Sequence, residues 1–392
     1  MSRRAGQVTK RGESKWLVRL YVGSHPDTGR RIYHAETVHG TKKSADARLR
    51  EMLTQRDLGQ FLEPSMISVS AYLDRWLEHV EGSTRPRTAQ DYRRFLDHYV
   101  RHALGARPLA KLNPLELQTL MKTIADETSP HAARRTHAVL RAALRQAVRW
   151  RYLPQSPMEG VQAPREHRTE TVALSAAQAK AFREAARGFE RGFVFVFSMA
   201  TGMRPGEVQA LRWADVDLEA GTVRVERGLA WLDGPKDPQT GKRKKVWKLG
   251  VPKTRLSRRL IPLPASTAAE LRTHRRRQAE WRLKLGEAYV DHDLVFAGEF
   301  GQPITNTNLS RRVLKPILKA AKLPVDVQKR FRWYDCRHTC ATLLLEAGVN
   351  PKIVSERLGH STVAFTLDRY AHVLPGQQVA ASMALEAALL GV

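Results

Sequence analysis

Residues 331–374 read FRWYDCRHTCATLLLEAGVNPKIVSERLGHSTVAFTLDRYAHVL, and the architecture of the chain is decided by what this stretch contains. It carries Arg337, His360 and Tyr370, set apart by two segments with helical signatures. After Arg337 an apolar stripe of Ala341, Leu343, Leu344 and Leu345 runs to Gly348 and predicts one helix. Asn350 before Pro351 predicts the start of a second, because Asn can accept from free first-turn amides and proline's fixed φ suits that turn. Gly359 predicts its end, where the chain must turn left-handed. His360 then falls in a turn, and Tyr370 one short helix later. A guanidinium, an imidazole and a phenol are the parts of a site that attacks a phosphate. The phenol alone is a poor nucleophile near neutrality, since its pKa is about 10. It needs neighbours that neutralise the phosphate and take up charge.

A second arginine stands far upstream, in ATGMRPGEVQALRWADVD (200–217). Gly202 closes an apolar helix and Pro205 opens the next, so Arg204 precedes a helix N-terminus, where free amides and the helix dipole favour an anion. An isolated arginine before a proline is more often structural than functional. In the order Arg204, Arg337, Leu358–His360 and Tyr370, however, these residues resemble the tyrosine recombinases of the phage-integrase superfamily. The resemblance covers the whole chain.

It implies a multidomain fold: a small N-terminal β-sheet plus helix domain that binds arm-type DNA (1–62), an all-α core-binding domain (66–155), a linker (156–172), and a mixed, mainly-α (α+β) catalytic domain (173–392). It implies catalytic roles for Arg204, Lys253, Tyr334, Arg337 and His360, with Tyr370 the nucleophile that forms a 3′-phosphotyrosyl intermediate. Glu207 and Leu211 would support the first arginine and pack its helix. Lys253 stands at the tip of a hairpin expected between strands 246–251 and 258–262, from which it would protonate the departing 5′ oxygen. The family's second box usually reads His-x-x-Arg, whereas Tyr334, Asp335, Cys336 and Arg337 occupy it here. A neutral phenol is a weak general base, so either Tyr334 only binds the phosphate or proton removal falls to water. By the same resemblance His338 has a structural duty. The implied partners are core and arm sites in duplex DNA, three further copies in a homotetramer, and a recombination directionality factor. No cofactor or metal is implied.

Composition agrees with a polyanionic partner: 66 Lys and Arg against 39 Asp and Glu leave a net charge of +27 on a chain that is 42% hydrophobic. A membrane surface is the competing partner. The longest apolar run, 193–200, is interrupted by Ser198 and too short to span a bilayer, and MSRRAGQVTKRG has no apolar core of a signal peptide, so a cytoplasmic location is expected. Cys336 and Cys340, one helical turn apart, are too few for a disulfide framework or a zinc site and read as reduced core thiols.

Along the chain, strands are expected at 15–22 and 30–38, followed by a helix capped by Thr41. Val69, Tyr72, Leu73, Trp76, Leu77 and Val80 recur at the helical period. Thr88 with Asp91 resembles a capping box, Asn113-Pro114 and Ser129-Pro130 open two more helices, and Leu140, Leu144 and Val148 form a core stripe. Further on, Ser175 with Gln178 predicts a capping box, then strands at 222–227, 246–251 and 258–262 and helices at 266–285 and 308–321. Between the first two of these strands, DGPKDPQTGKRKK reads as a basic, exposed excursion. The apolar tail 380–392 would pack either on a neighbour or on its own domain. Two other functions share these features: a type IB topoisomerase, with the same chemistry, and a DNA-binding protein that does not cleave, since 343–370 could pass for a helix-turn-helix.

Overall fold

The computed structural model describes residues 6–24, 31–57, 67–165, 171–241, 243–251, 257–370 and 377–390. The chain divides into two compact units, Met1–Arg168 and Thr169–Val392.

The first unit opens with an antiparallel sheet, β1 (Gly6–Lys10), β2 (Lys15–Ser24) and β3 (Arg31–His39), in that order. The two longer strands follow from the sequence; β1 does not, because GQVTK offers a single large apolar residue and is held by pairing, with Val8 opposite Val18. The two-residue period of β2 turns Val18 and Leu20 to one face, where they are buried with Ala45 and Met52 of α1 (Lys42–Asp57). Thr41 Oγ1 accepts from the Ser44 N–H and caps that helix. A helical layer follows: α2 (Val69–Ser83), α3 (Pro86–Phe95), α4 (His102–Leu104), α5 (Pro114–Glu127) and α6 (Pro130–Arg149). All six residues of the α2 stripe are buried. Asn113 and Ser129 cap their helices by accepting from the N–H groups of Glu116 and Ala132. The expected box at Thr88 is not a helix start, because α3 already begins at Pro86, whose fixed φ suits a first turn.

The second unit begins with α7 (Ala176–Ala186), capped by the Ser175–Gln178 box. Next come α8 (Phe193–Thr201) and α9 (Pro205–Gln209). Five strands follow, β4 (Val216–Asp217), β5 (Thr222–Val225), β6 (Gly228–Lys236), β7 (Arg243–Gly250) and β8 (Arg259–Pro262). The rest is helical: α10 (Ala265–Leu285), α11 (Asn306–Leu309), α12 (Lys315–Ala320), α13 (Val325–Arg330), α14 (Asp335–Glu346), α15 (Pro351–Leu358), α16 (Val363–Tyr370) and α17 (Gln377–Leu390). α8 is apolar almost all round because it is the buried centre of this unit, packed among Phe182, Ile261, Phe296, Phe331 and Trp333. A smaller cluster, Ala341, Leu345, Val354, Leu358 and Tyr370, joins α14, α15 and α16.

Two expectations are corrected here. The helix over 308–321 is interrupted by a π-helical turn at Ser310–Leu314, next to Pro316, which has no amide hydrogen to give. The hairpin joining 246–251 to 258–262 does not form: β7 pairs with β6, and β8 pairs with β5 in the sheet β4-β5-β8. The basic excursion is itself this β6–β7 ribbon. Its Gly, Pro and Asp residues disguise strand ends as loop, while Asp237 accepts from the N–H groups of Gln239 and Thr240 to make a tight local turn. Among the described residues no helix is long and apolar enough to cross a membrane.

Candidate active site

Arg337 lies inside the first turn of α14 rather than before it, because Asp335 accepts from the Arg332 N–H and starts the helix early. The side chain is 1% exposed. Its Nη1 donates to the carbonyl of Gly202 at 2.8 Å. Its Nη2 is buried and makes no hydrogen bond among the described residues. Burial, then the neighbouring Arg204 charge, push this guanidinium down to about 10. A buried donor without an acceptor costs about 1–3 kcal/mol, and an anionic oxygen would satisfy it.

Gly202 reaches this position because α8 ends there in the left-handed conformation, at φ 68°. Two residues later Arg204 caps α9, and its side chain spans the site: Nη1 donates to Glu207 at 2.7 Å and Nη2 to the carbonyl of Gly359 at 3.0 Å. Glu207 is shared, for Arg259 Nη2 donates to its other oxygen at 2.9 Å. Arg259 is in turn held by the carbonyls of Arg357 and Ser257. Burial raises the pKa of Glu207, but Arg259 and Arg204 outweigh it and keep the carboxyl below its ordinary range.

Asn350 caps α15 by accepting from the Lys352 N–H, and Gly359 ends it at φ 67°. His360 follows in the turn, as the sequence required, and its Nδ1 lies 2.7 Å from the buried Thr366 hydroxyl. Burial and the charges of Arg337, Arg204 and Arg259 depress its pKa to about 3, so the ring is neutral at physiological pH. In the tautomer where Nδ1 accepts from the Thr366 hydroxyl, the ring hydrogen sits on Nε2, which can donate.

Tyr370 is the last residue of α16 and is only 2% exposed. Its hydroxyl lies 2.7 Å from Nδ1 of His338. Burial raises the phenol's pKa although Arg337 works against it. Tyr334, by contrast, is 43% exposed, and its ring meets the edge of His338 at 5.2 Å. Lys253 lies outside the described residues.

The structure therefore gathers Arg204, Arg337, His360 and Tyr370, and leaves Tyr334 at the rim. Sequence reasoning passed over two members of the site. Arg259 gave no signal within the basic run RLSRRL. His338 did: one position after Arg337 on a helix, it was bound to share the same end of the fold, but it was assigned a structural duty.

Two family models match in register with this architecture, "Phage integrase central domain" over residues 69–163 and "Phage integrase family" over 172–377. A "Tyrosine recombinase XerC-like" protein from Caldanaerobacter subterraneus subsp. tengcongensis is 29% identical, covering 94% of this chain and 95% of its own. An "Integrase" from Streptomyces ambofaciens is 27% identical over 91% of this chain and 89% of its own. Among solved structures, the Tn1549 transposon integrase in complex with circular intermediate DNA superposes with a TM-score of 0.64 at 22% identity, covering 81% of this chain and all (100%) of its own. A lambda integrase tetramer bound to a Holliday junction gives 0.55 at 15% identity, covering 93% and 94%. With the central-domain and catalytic matches together spanning most of its length, the chain belongs to the phage integrase family.

Proposed function

We propose that the chain works as a site-specific integrase through Tyr370, cutting and rejoining duplex DNA by transesterification with a 3′-phosphotyrosyl intermediate. Arg204 and Arg337 would grip the non-bridging oxygens of the scissile phosphate through charge-assisted hydrogen bonds, and the Nε2–H of His360 would add a third. Each preorganised donor of this kind contributes on the order of 10² to 10³ in rate. Lys253 would protonate the leaving 5′ oxygen, and Tyr334 would contact the phosphate from the rim. Storing the bond energy in the phosphotyrosyl link removes any need for nucleotide hydrolysis. The observation that carries this reading is the buried, unpartnered Nη2 of Arg337, whose charge lies close enough to Tyr370 to act on its phenol.

On the same reading residues 1–62 bind arm-type DNA, 66–155 bind the core site, 156–172 link them to the catalytic domain 173–392, and four copies assemble on DNA in the cytoplasm. A directionality factor would bias integration against excision. The tail helix α17 presents Met383, Leu385, Leu389 and Leu390 to solvent, which suits docking on a neighbouring copy. The test uses a duplex copied from the ends of the element that encodes the chain, nicked so that the cleaved strand is lost. Wild type should form a denaturant-stable covalent adduct, and Tyr370→Phe should form none while binding the duplex normally. An adduct surviving in Tyr370→Phe would move the nucleophile to Tyr334. None from wild type would favour a binding protein without cleavage.

A further inference from the structure

We infer that His338 is the group that accepts the proton of Tyr370, filling the role that Tyr334 leaves open. The inference rests on the reading of Tyr370 as the nucleophile. Its basis is geometric: Nδ1 of His338 lies 2.7 Å from the Tyr370 hydroxyl, and both side chains are buried. Tyr334 and His338 are four residues apart on the Tyr334–α14 turn and so share a face, with Tyr334 covering the imidazole from the solvent side at 5.2 Å. The groups that bear on His338 are Arg337 and Tyr334 from its own helix, Arg369 and Tyr370 from α16, and His360 from the turn. Burial first, then Arg369 and Arg337, hold the imidazole at about 4. It is neutral at physiological pH, and in the tautomer with its hydrogen on Nε2 it offers the phenol a lone pair at Nδ1.

In the resting site the proton stays on the phenol, since the imidazole is the weaker base. The balance changes when a phosphate arrives. As the bond from Tyr370 Oη to phosphorus forms, electron density leaves the phenolic oxygen and its proton becomes strongly acidic, so a weak base suffices. The negative charge developing on the non-bridging phosphoryl oxygens also offsets the arginines that disfavour an imidazolium. The Oη–P bond forms, the bond from phosphorus to the 5′ oxygen breaks, the phenolic proton passes to Nδ1, and the leaving oxygen takes a proton from Lys253. Religation reverses each transfer, His338 returning its proton to Tyr370.

The experiment compares the full chain with its His338→Gln, His338→Ala and Lys253→Ala variants. The substrate is the nicked duplex above, prepared once with its normal 5′ oxygen and once with sulfur in that bridging position. Sulfur leaves without a proton, so it relieves the need for a general acid but not for a base. Adduct formation should fall about 10²- to 10⁴-fold in His338→Gln at neutral pH, should not recover on the sulfur duplex, and should climb with pH as the phenol ionises unaided, where wild type stays flat. Lys253→Ala should recover on sulfur. Glutamine keeps an acceptor but cannot take a proton, so an unchanged rate in His338→Gln overturns the inference. So does its rescue by sulfur, and so does loss of folding or DNA binding in both His338 variants, which would make the residue structural. Absence of an adduct from wild type would instead overturn the recombinase reading on which this one stands.

Discussion

Replacing Glu207 with alanine removes a carboxylate that Arg204 and Arg259 share, at 2.7 and 2.9 Å. The Glu207 and Arg259 side chains are each only 7% exposed, so the pair is a buried one. Removing one partner of a buried pair costs about 3–5 kcal/mol, mostly because the other charge is stranded. Arg259 keeps the carbonyls of Arg357 and Ser257, which argues for about 3 kcal/mol. Glu207 also accepts from the backbone N–H of Arg204 and so completes the cap of α9, adding about 1 kcal/mol. For a unit of this size about 4 kcal/mol corresponds to a fall in Tm of roughly 8–16 °C. Calorimetry that resolves the transition of Thr169–Val392 reads it.

Two further variants separate the causes. Glu207→Gln keeps an acceptor oxygen and should lose less. Combining Glu207→Gln with Arg259→Met should lose less than the sum of the single changes, because no buried charge is left alone. The pH dependence has a fixed sign. Glu207 titrates lower folded than its unfolded value of about 4.3, so its contribution is complete above that value and disappears as pH falls through the folded pKa. The gap between wild type and Glu207→Ala should therefore close in acid. A Tm change of less than about 2 °C at neutral pH, or strict additivity in the double variant, would refute the idea that this carboxylate holds the arginine pair.

Gly202→Ala should destabilise the same unit by about 2–5 kcal/mol, summing a left-handed backbone and an overpacked neighbour, because the new Cβ would stand 2.5 Å from Leu358 Cδ2 at a φ of 68°. A melting curve like that of wild type would show that the turn relaxes freely. Affinity for duplex DNA should fall with salt on a log-log slope of about −0.9 per phosphate neutralised; a flat titration would remove the polyanion from the account of the +27 charge.

Much of this was legible in the sequence where local chemistry decides the outcome. Asn350, Ser129 and Ser175 cap because an oxygen acceptor next to free amides is favoured whatever the surroundings. The α2 stripe is buried because its period matches the helix. The misses share a different cause. β6 depends on a partner strand for its stability, and GLAWLDGPK alone reads as turn. Arg259 is one of three closely spaced arginines, and only the arrival of Glu207 from α9 singles it out. His338 was in plain view, but whether it faces the core or the phenol is set by where α16 ends, a long-range fact that spacing does not encode.

The salt bridges of the site answer only part of the positive charge gathered there. Arg204, Arg259 and Arg337 converge, and among them Glu207 is the carboxylate that answers, bonded to the first two but not to the third. Arg337 is left with a neutral carbonyl as its acceptor, and its pKa is depressed to about 10 by burial and by Arg204. The same crowding drives His360 down to about 3 and works against a charged His338. A fold that sought stability alone would replace such a residue with an apolar one, since a buried cation without a matching anion costs several kcal/mol. On the proposed reading, a phosphodiester entering between Arg204 and Arg337 would offset part of these penalties. The doubly negative transition state that follows would offset more of them. Relief already gained with the bound diester would only tighten binding, whereas the part that comes with the transition state's second negative charge would raise the rate.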